Sequence, residues 1–182
     1  MKNYTLTSKP LSLLASYEIK DADGNLEMTA KANFGIMQFL RTELAVRDVN
    51  RKKSFKIRGV IKTLNRRTEI LSENGSLSYY IISGIFFPRY ESPFYTSDGK
   101  KLFDLVSSFS RERSELPTRL NVDVVSPNGT KLASAKMRFP TISIHEKWEI
   151  SVTNDGEHLT REGLLAVLWY QHFWHNIMTR TL

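Results

Sequence analysis

Ten basic side chains crowd into one stretch of the chain, Arg41, Arg47, Arg51, Lys52, Lys53, Lys56, Arg58, Lys62, Arg66 and Arg67, against only Glu43 and Asp48. The segment carries +8 while all 182 residues together carry +7, so everything outside it is nearly neutral. Dense positive charge attracts polyanions, either nucleic-acid phosphates or the head groups of an acidic membrane. Within the segment Phe55, Ile57 and Ile61 alternate with Lys56, Arg58 and Lys62. Successive side chains of a strand point to opposite faces, so this spacing predicts an apolar row turned inward and a cationic row turned to solvent. Arg51, Lys52 and Lys53 fall on the adjoining turn. The expected anion-binding set is therefore Arg51, Lys52, Lys53, Lys56, Arg58 and Lys62. A plainer role for the same stripe is a solvated strand face whose lysines discourage edge-to-edge pairing. Aromatic residues between the charges would favour single-stranded nucleic acid, yet the segment holds only Phe55, and its place in the alternation is inward.

Other chemistries find less support. Asp21, Asp23 and Asn25 resemble the start of a calcium loop, but an EF-hand needs an acidic residue where Ile19 stands and a bidentate Glu where Ala30 stands. A hairpin turn is the expectation there. His172 and His175 lie three apart and could share a metal on a helix, with no third ligand at a recognisable spacing; His145 and His158 stand alone. No Gly-x-Ser-x-Gly elbow, phosphate-binding Gly-rich loop, dinucleotide fingerprint or His-Glu-x-x-His pair is present. Without cysteine there is no thiolate for zinc or for nucleophilic attack. The expectation is a non-enzymatic module with no cofactor and no metal. Carboxylates assembled from distant strands would leave no mark in the sequence.

The elements that position the basic stripe are mostly strands. Turn signals recur at intervals of roughly 25 residues, at Asp23-Gly24-Asn25, Asp48-Val49-Asn50, Glu73-Asn74-Gly75, Ser97-Asp98-Gly99, Pro127-Asn128-Gly129 and Asn154-Asp155-Gly156. Between them Tyr17 and Ile19, then Leu120, Val122 and Val124, then Trp148, Ile150 and Val152 alternate with polar neighbours. Period two with one polar face describes antiparallel sheet wet on one side, so a barrel or sandwich is expected, as one domain over residues 1–182. Only Thr160 to about Met178 reads as a long helix, with Thr160 as a candidate N-cap and Glu162 in its first turn. Leu164, Leu165, Leu168, Trp169, Phe173 and Trp174 make it apolar on nearly every side, which places it in the centre of the strands. It is too short and too polar to span a bilayer. Met1 to Ser16 lacks the apolar centre of a signal peptide, so a cytoplasmic address is expected, and peripheral contact with a membrane is compatible with it. Asn74-Gly75-Ser76 and Asn128-Gly129-Thr130 match the glycosylation pattern, but Asn-Gly is equally a hairpin turn.

The opening Tyr4-Thr-Leu-Thr-Ser-Lys-Pro-Leu-Ser-Leu, followed by Tyr17-Glu-Ile-Lys-Asp-Ala-Asp-Gly-Asn25, resembles the first hairpin of the LURP-one-related proteins. These belong with the phospholipid scramblases and the tubby C-terminal domains. The resemblance implies a tubby C-terminal-like fold, a closed antiparallel β-barrel of about a dozen strands around a buried hydrophobic C-terminal helix. Tubby domains bind phosphoinositides through basic surface residues, and scramblases are linked to phospholipids and calcium. The expected partner is thus anionic phospholipid at a membrane surface. A nucleic-acid-binding module, or a structural or protein-interaction domain, is the alternative.

Overall fold

Alternation of apolar and polar residues decides the architecture, because each strand has one face that must leave water. The structure, a computed structural model, describes residues 1–9, 16–33, 43–62, 65–84, 91–110, 119–138 and 147–178, with helix side chains followed to His172. Its strands are β1 (Lys2–Lys9), β2 (Ser16–Asp21), β3 (Leu26–Asn33), β4 (Glu43–Asp48), β5 (Lys53–Lys62) and β6 (Asn65–Ser72), then β7 (Leu77–Gly84), β8 (Glu91–Thr96), β9 (Lys101–Ser110), β10 (Arg119–Val125), β11 (Lys131–Arg138) and β12 (Lys147–Val152). Each pairs antiparallel with its neighbours in chain order, and β1 closes on β12 from Lys2↔Val152 to Thr7↔Lys147. The result is the closed barrel, and every described strand edge is paired.

An eight-stranded barrel can be filled by its own side chains, whereas twelve strands enclose more space than the inward rows occupy. The helix α1 (Thr160–Met178) fills it. Every side chain from Leu164 to His172 is buried, which no helix lying on a surface could achieve. Its polar groups show the same thing geometrically. Trp169 Nε1 donates to Thr68 Oγ1 of β6 at 3.0 Å, Tyr170 bonds Ser107 of β9, Trp148 of β12 donates to Gln171, and His172 Nδ1 lies 3.3 Å from the Tyr17 hydroxyl of β2. Consecutive helix residues turn by about 100°. Around a ring of twelve strands that is about three strands per step, as observed from β6 to β9 to β12 and nearly so to β2. The rod runs through the middle.

The Asn154-Asp155-Gly156 signal is a 3₁₀ helix, Asn154–Leu159, that leads straight into α1. Thr160 is accordingly not an N-cap. It is already helical, at φ −53° and ψ −44°, and its hydroxyl donates to the Glu157 carbonyl at 2.9 Å. The Gly156 position is buried and requires glycine, because a Cβ on residue 156 would stand 2.4 Å from the Leu132 carbonyl oxygen. Phe173, Trp174 and His175, expected from the sequence to matter, lie outside the described side chains. His172 belongs to the core through Tyr17, and no cluster of three metal-binding side chains occurs among the described residues.

The outer wall is charged around the ring, with ion pairs such as Lys20–Glu18, Lys56–Glu43, Lys101–Asp104 and Lys131–Asp123. That is the inverse of a membrane-spanning barrel, which turns its apolar band outward. No helix among the described residues is long and apolar enough to cross a bilayer.

Two substitutions test the filled lumen. Trp169→Ala removes a buried indole and leaves Thr68 without its donor, and should cost about 3–5 kcal/mol in urea unfolding. Gly156→Ala should cost about 1–3 kcal/mol, because its new methyl meets backbone and not a side chain that can turn away.

Candidate functional site

At one end of the barrel lie the five described hairpin loops and the entry of the helix. Four of the loops are chemically alike: Asp21-Ala-Asp-Gly-Asn25, Ser72-Glu-Asn-Gly-Ser76, Thr96-Ser-Asp-Gly-Lys100 and Ser126-Pro-Asn-Gly-Thr130. In each the Gly amide donates to the carbonyl three residues back at 2.9–3.1 Å, the Gly has φ between +81° and +89°, and a strand register shift accompanies the loop. This is the three-residue hairpin with a left-handed Gly.

The β4–β5 loop departs from that pattern. Asp48 pairs with Lys53 without a register shift and encloses Val49, Asn50, Arg51 and Lys52. Its left-handed position is held by Lys52, at φ +52°, where the other four loops have glycine. A side chain there costs about 1–2 kcal/mol. Such strain tends to collect where function demands a particular side chain.

The six residues expected to bind anions do not form one surface. Lys56 and Arg58 face outward on β5 as the alternation requires, with Ile57 buried between them. Their charge is answered by neighbouring strands. Glu43 of β4 meets Lys56 at 3.3 Å, and Glu69 of β6 accepts from Arg58 at 2.8 and 3.0 Å. Arg67, which touches the same Glu69 at 3.5 Å, also lies 4.2 Å over the Tyr80 ring, which stacks on Tyr95. Lys62 ends β5, about 30 Å along the strand from Lys53 at the usual rise. Its side chain lies outside the described residues, as does Arg41.

Arg51, Lys52 and Lys53 are different. All three are exposed at the loop, with exposed Arg47 close by on β4, and none makes an ion pair among the described residues. Val49 stands among them, 36% exposed, and shares with Met1 the distinction of being a large exposed apolar side chain among the described residues. Asn50 Nδ2 donates to Glu27 Oε2 at 2.7 Å and the Val49 amide donates to the Glu27 carbonyl at 3.0 Å, so β3 braces the loop from one side.

On the other side a groove of about 570 Å³ separates this loop from the β6–β7 loop, with Arg51, Lys53 and Phe55 on one wall, Glu73 and Tyr79 on the other, and Arg161 at the helix entry. Phe55 is only partly buried and lines this groove as well as touching the core. The Tyr79 hydroxyl donates to Glu162 at 2.9 Å, and its pKa is pushed up to about 12, first by burial and then by the Glu162 charge and hydrogen bond, against a smaller opposing effect of Arg51. Burial lowers the Arg161 pKa from its ordinary value, opposed by Glu162 and Glu27.

The alternation in β5 located Lys56 and Arg58 correctly, but it could not show that Glu43 and Glu69 stand across from them. Val49 and the unusual conformation of Lys52 were missed as well. Comparing the five loops supplies the signal, a lysine where its counterparts carry glycine. No family model, curated protein or solved structure matches the chain.

Lys52→Gly should raise stability by about 0.5–1 kcal/mol, the left-handed penalty less the entropy of glycine in the unfolded chain, read as a higher urea midpoint. For Tyr79 the sign follows from a folded pKa above the unfolded value of about 10. Its stabilising contribution is full below pH ~10 and is lost as pH rises toward 12. Tyr79→Phe should therefore flatten the alkaline fall in stability between those values.

Proposed function

We propose that this chain is a non-enzymatic module that docks reversibly on anionic phospholipid head groups through the β4–β5 loop. The observation that carries the reading is the exposed Arg51-Lys52-Lys53 triplet, free of ion pairs among the described residues and set beside exposed Val49. The resemblance to tubby and scramblase proteins supports it from a separate direction. The docking surface is the loop together with Arg47, in place of the whole strand, because Lys56 and Arg58 are already engaged by Glu43 and Glu69.

Each basic residue near an acidic bilayer is worth about 1 kcal/mol, so four give about 4 kcal/mol, or a dissociation constant near millimolar. Insertion of Val49 at the acyl boundary adds about 1–2 kcal/mol and brings attachment into a reversible submillimolar range. An apolar tip gains nothing against a nucleic-acid backbone, which favours lipid over the nucleic-acid alternative.

Co-sedimentation with phosphatidylcholine vesicles, with and without phosphatidylserine, tests the reading. Binding should require phosphatidylserine and weaken as salt is raised. Arg51→Glu with Lys53→Glu should abolish it, Val49→Asp should weaken it several-fold, and Lys56→Gln should change it little. Equal binding to neutral vesicles, or none to either, removes the proposal. A gel shift of duplex or single-stranded DNA without vesicle binding would establish the alternative.

A further inference from the structure

All five loops at this end are capped by the side chain of their first residue: Asp21, Asp48, Ser72, Thr96 and Ser126. Four of these caps are half-buried, and among the described residues their side-chain hydrogen bonds stay within their own loops. Asp48 is fully buried. Its Oδ1 accepts from the Arg51 amide at 3.0 Å, and its Oδ2 meets the guanidinium of Arg161 in the first turn of α1. The Arg161 side chain is itself 13% exposed. The next helix residue, Glu162, takes the Tyr79 hydroxyl from β7, so this turn of the helix is tied into the wall on two strands.

A carboxylate removed from water must keep its countercharge, and a loop amide that bonds that carboxylate must follow it. Among the described loops, the one with a left-handed lysine is thus also the one fastened to the central helix. Strained backbone persists only where its surroundings over-determine it, and Asp48, Arg161 and Glu27 supply those surroundings.

We propose that Arg161 is a positioning residue for the cationic loop: through buried Asp48 it transmits the seating of the central helix to Val49–Lys52 and holds Arg51, Lys52 and Lys53 in their anion-facing arrangement. The inference rests on reading that loop as the docking surface. Preorganised cations lose less freedom on binding, so the pair contributes to affinity without touching the ligand. Linkage makes the effect reciprocal, and a bound anionic surface stabilises the seated helix.

Arg161→Met alone strands a buried carboxylate and risks unfolding, so the test uses Asp48→Asn with Arg161→Met, which removes both charges at nearly constant volume. Cooperative urea unfolding establishes that the variant is folded. Amide exchange at Arg51 should then accelerate about tenfold, the worth of a charged hydrogen bond, while exchange at Asn25, Lys100 and Thr130, capped in the other loops, stays as in the wild type. Affinity for phosphatidylserine-containing vesicles should fall about three- to tenfold. Arg161→Lys should restore most of both. A folded double variant with wild-type exchange at Arg51 and wild-type vesicle affinity overturns the inference, as does acceleration spread equally over all the loops. A wild-type protein that ignores acidic vesicles removes the docking reading, and exchange at Arg51 alone then decides whether Arg161 holds the loop.

Discussion

A ring of twelve strands encloses a space that its own inward side chains leave unfilled, and the fold exists because a helix occupies it. The occupant must be apolar on all sides, yet a few polar groups are useful if every one finds a partner. Trp169, Tyr170, Gln171 and His172 find theirs on four different strands. Hydrophobic contact alone would tolerate rotation or sliding of a greasy rod; directional bonds to Thr68, Ser107, Trp148 and Tyr17 favour one register. Arg161 and Glu162 continue the same fastening at the mouth of the barrel.

Charge is distributed with comparable economy. Along the wall, cations and carboxylates face one another across strands, and the field of the basic segment is largely spent on its neighbours. At the β4–β5 loop Arg51, Lys52 and Lys53 are exposed and make no ion pair among the described residues. The described residues of the segment therefore produce two surfaces of different character, a wall whose cations are paired with carboxylates and a loop whose cations are not. Sequence density of charge was a guide to the region but not to the place within it.

The architecture was legible because it rests on local regularities. Alternation at Tyr17 and Ile19 or at Trp148 and Ile150 can be read from a few residues, and an all-round apolar helix has few places to go. Asn154-Asp155-Gly156 carries the same turn signal as the hairpin loops but opens a 3₁₀ helix, and what distinguishes it, the closeness of the Leu132 carbonyl to Gly156, is a tertiary fact. The site was legible only in part. Glu69 lies eleven residues from Arg58 in sequence, and Asp48 is far from Arg161; those pairings depend on strand order and on the path of the helix. The oddity of Lys52 was present in the sequence all along, visible once the loops were set beside one another.

The seam between β1 and β12 joins the two ends of the strand sequence, and the helix that fills the lumen follows both. The first edge, β1, has its partner only in the last strand, and the inner apolar row has its filling only in the helix that follows that strand. Closure is consequently a late, all-or-none event with very long-range contacts, and high contact order of this kind makes folding slow. A sheet that lacks this seam leaves apolar surface and a strand edge open, and both features favour aggregation.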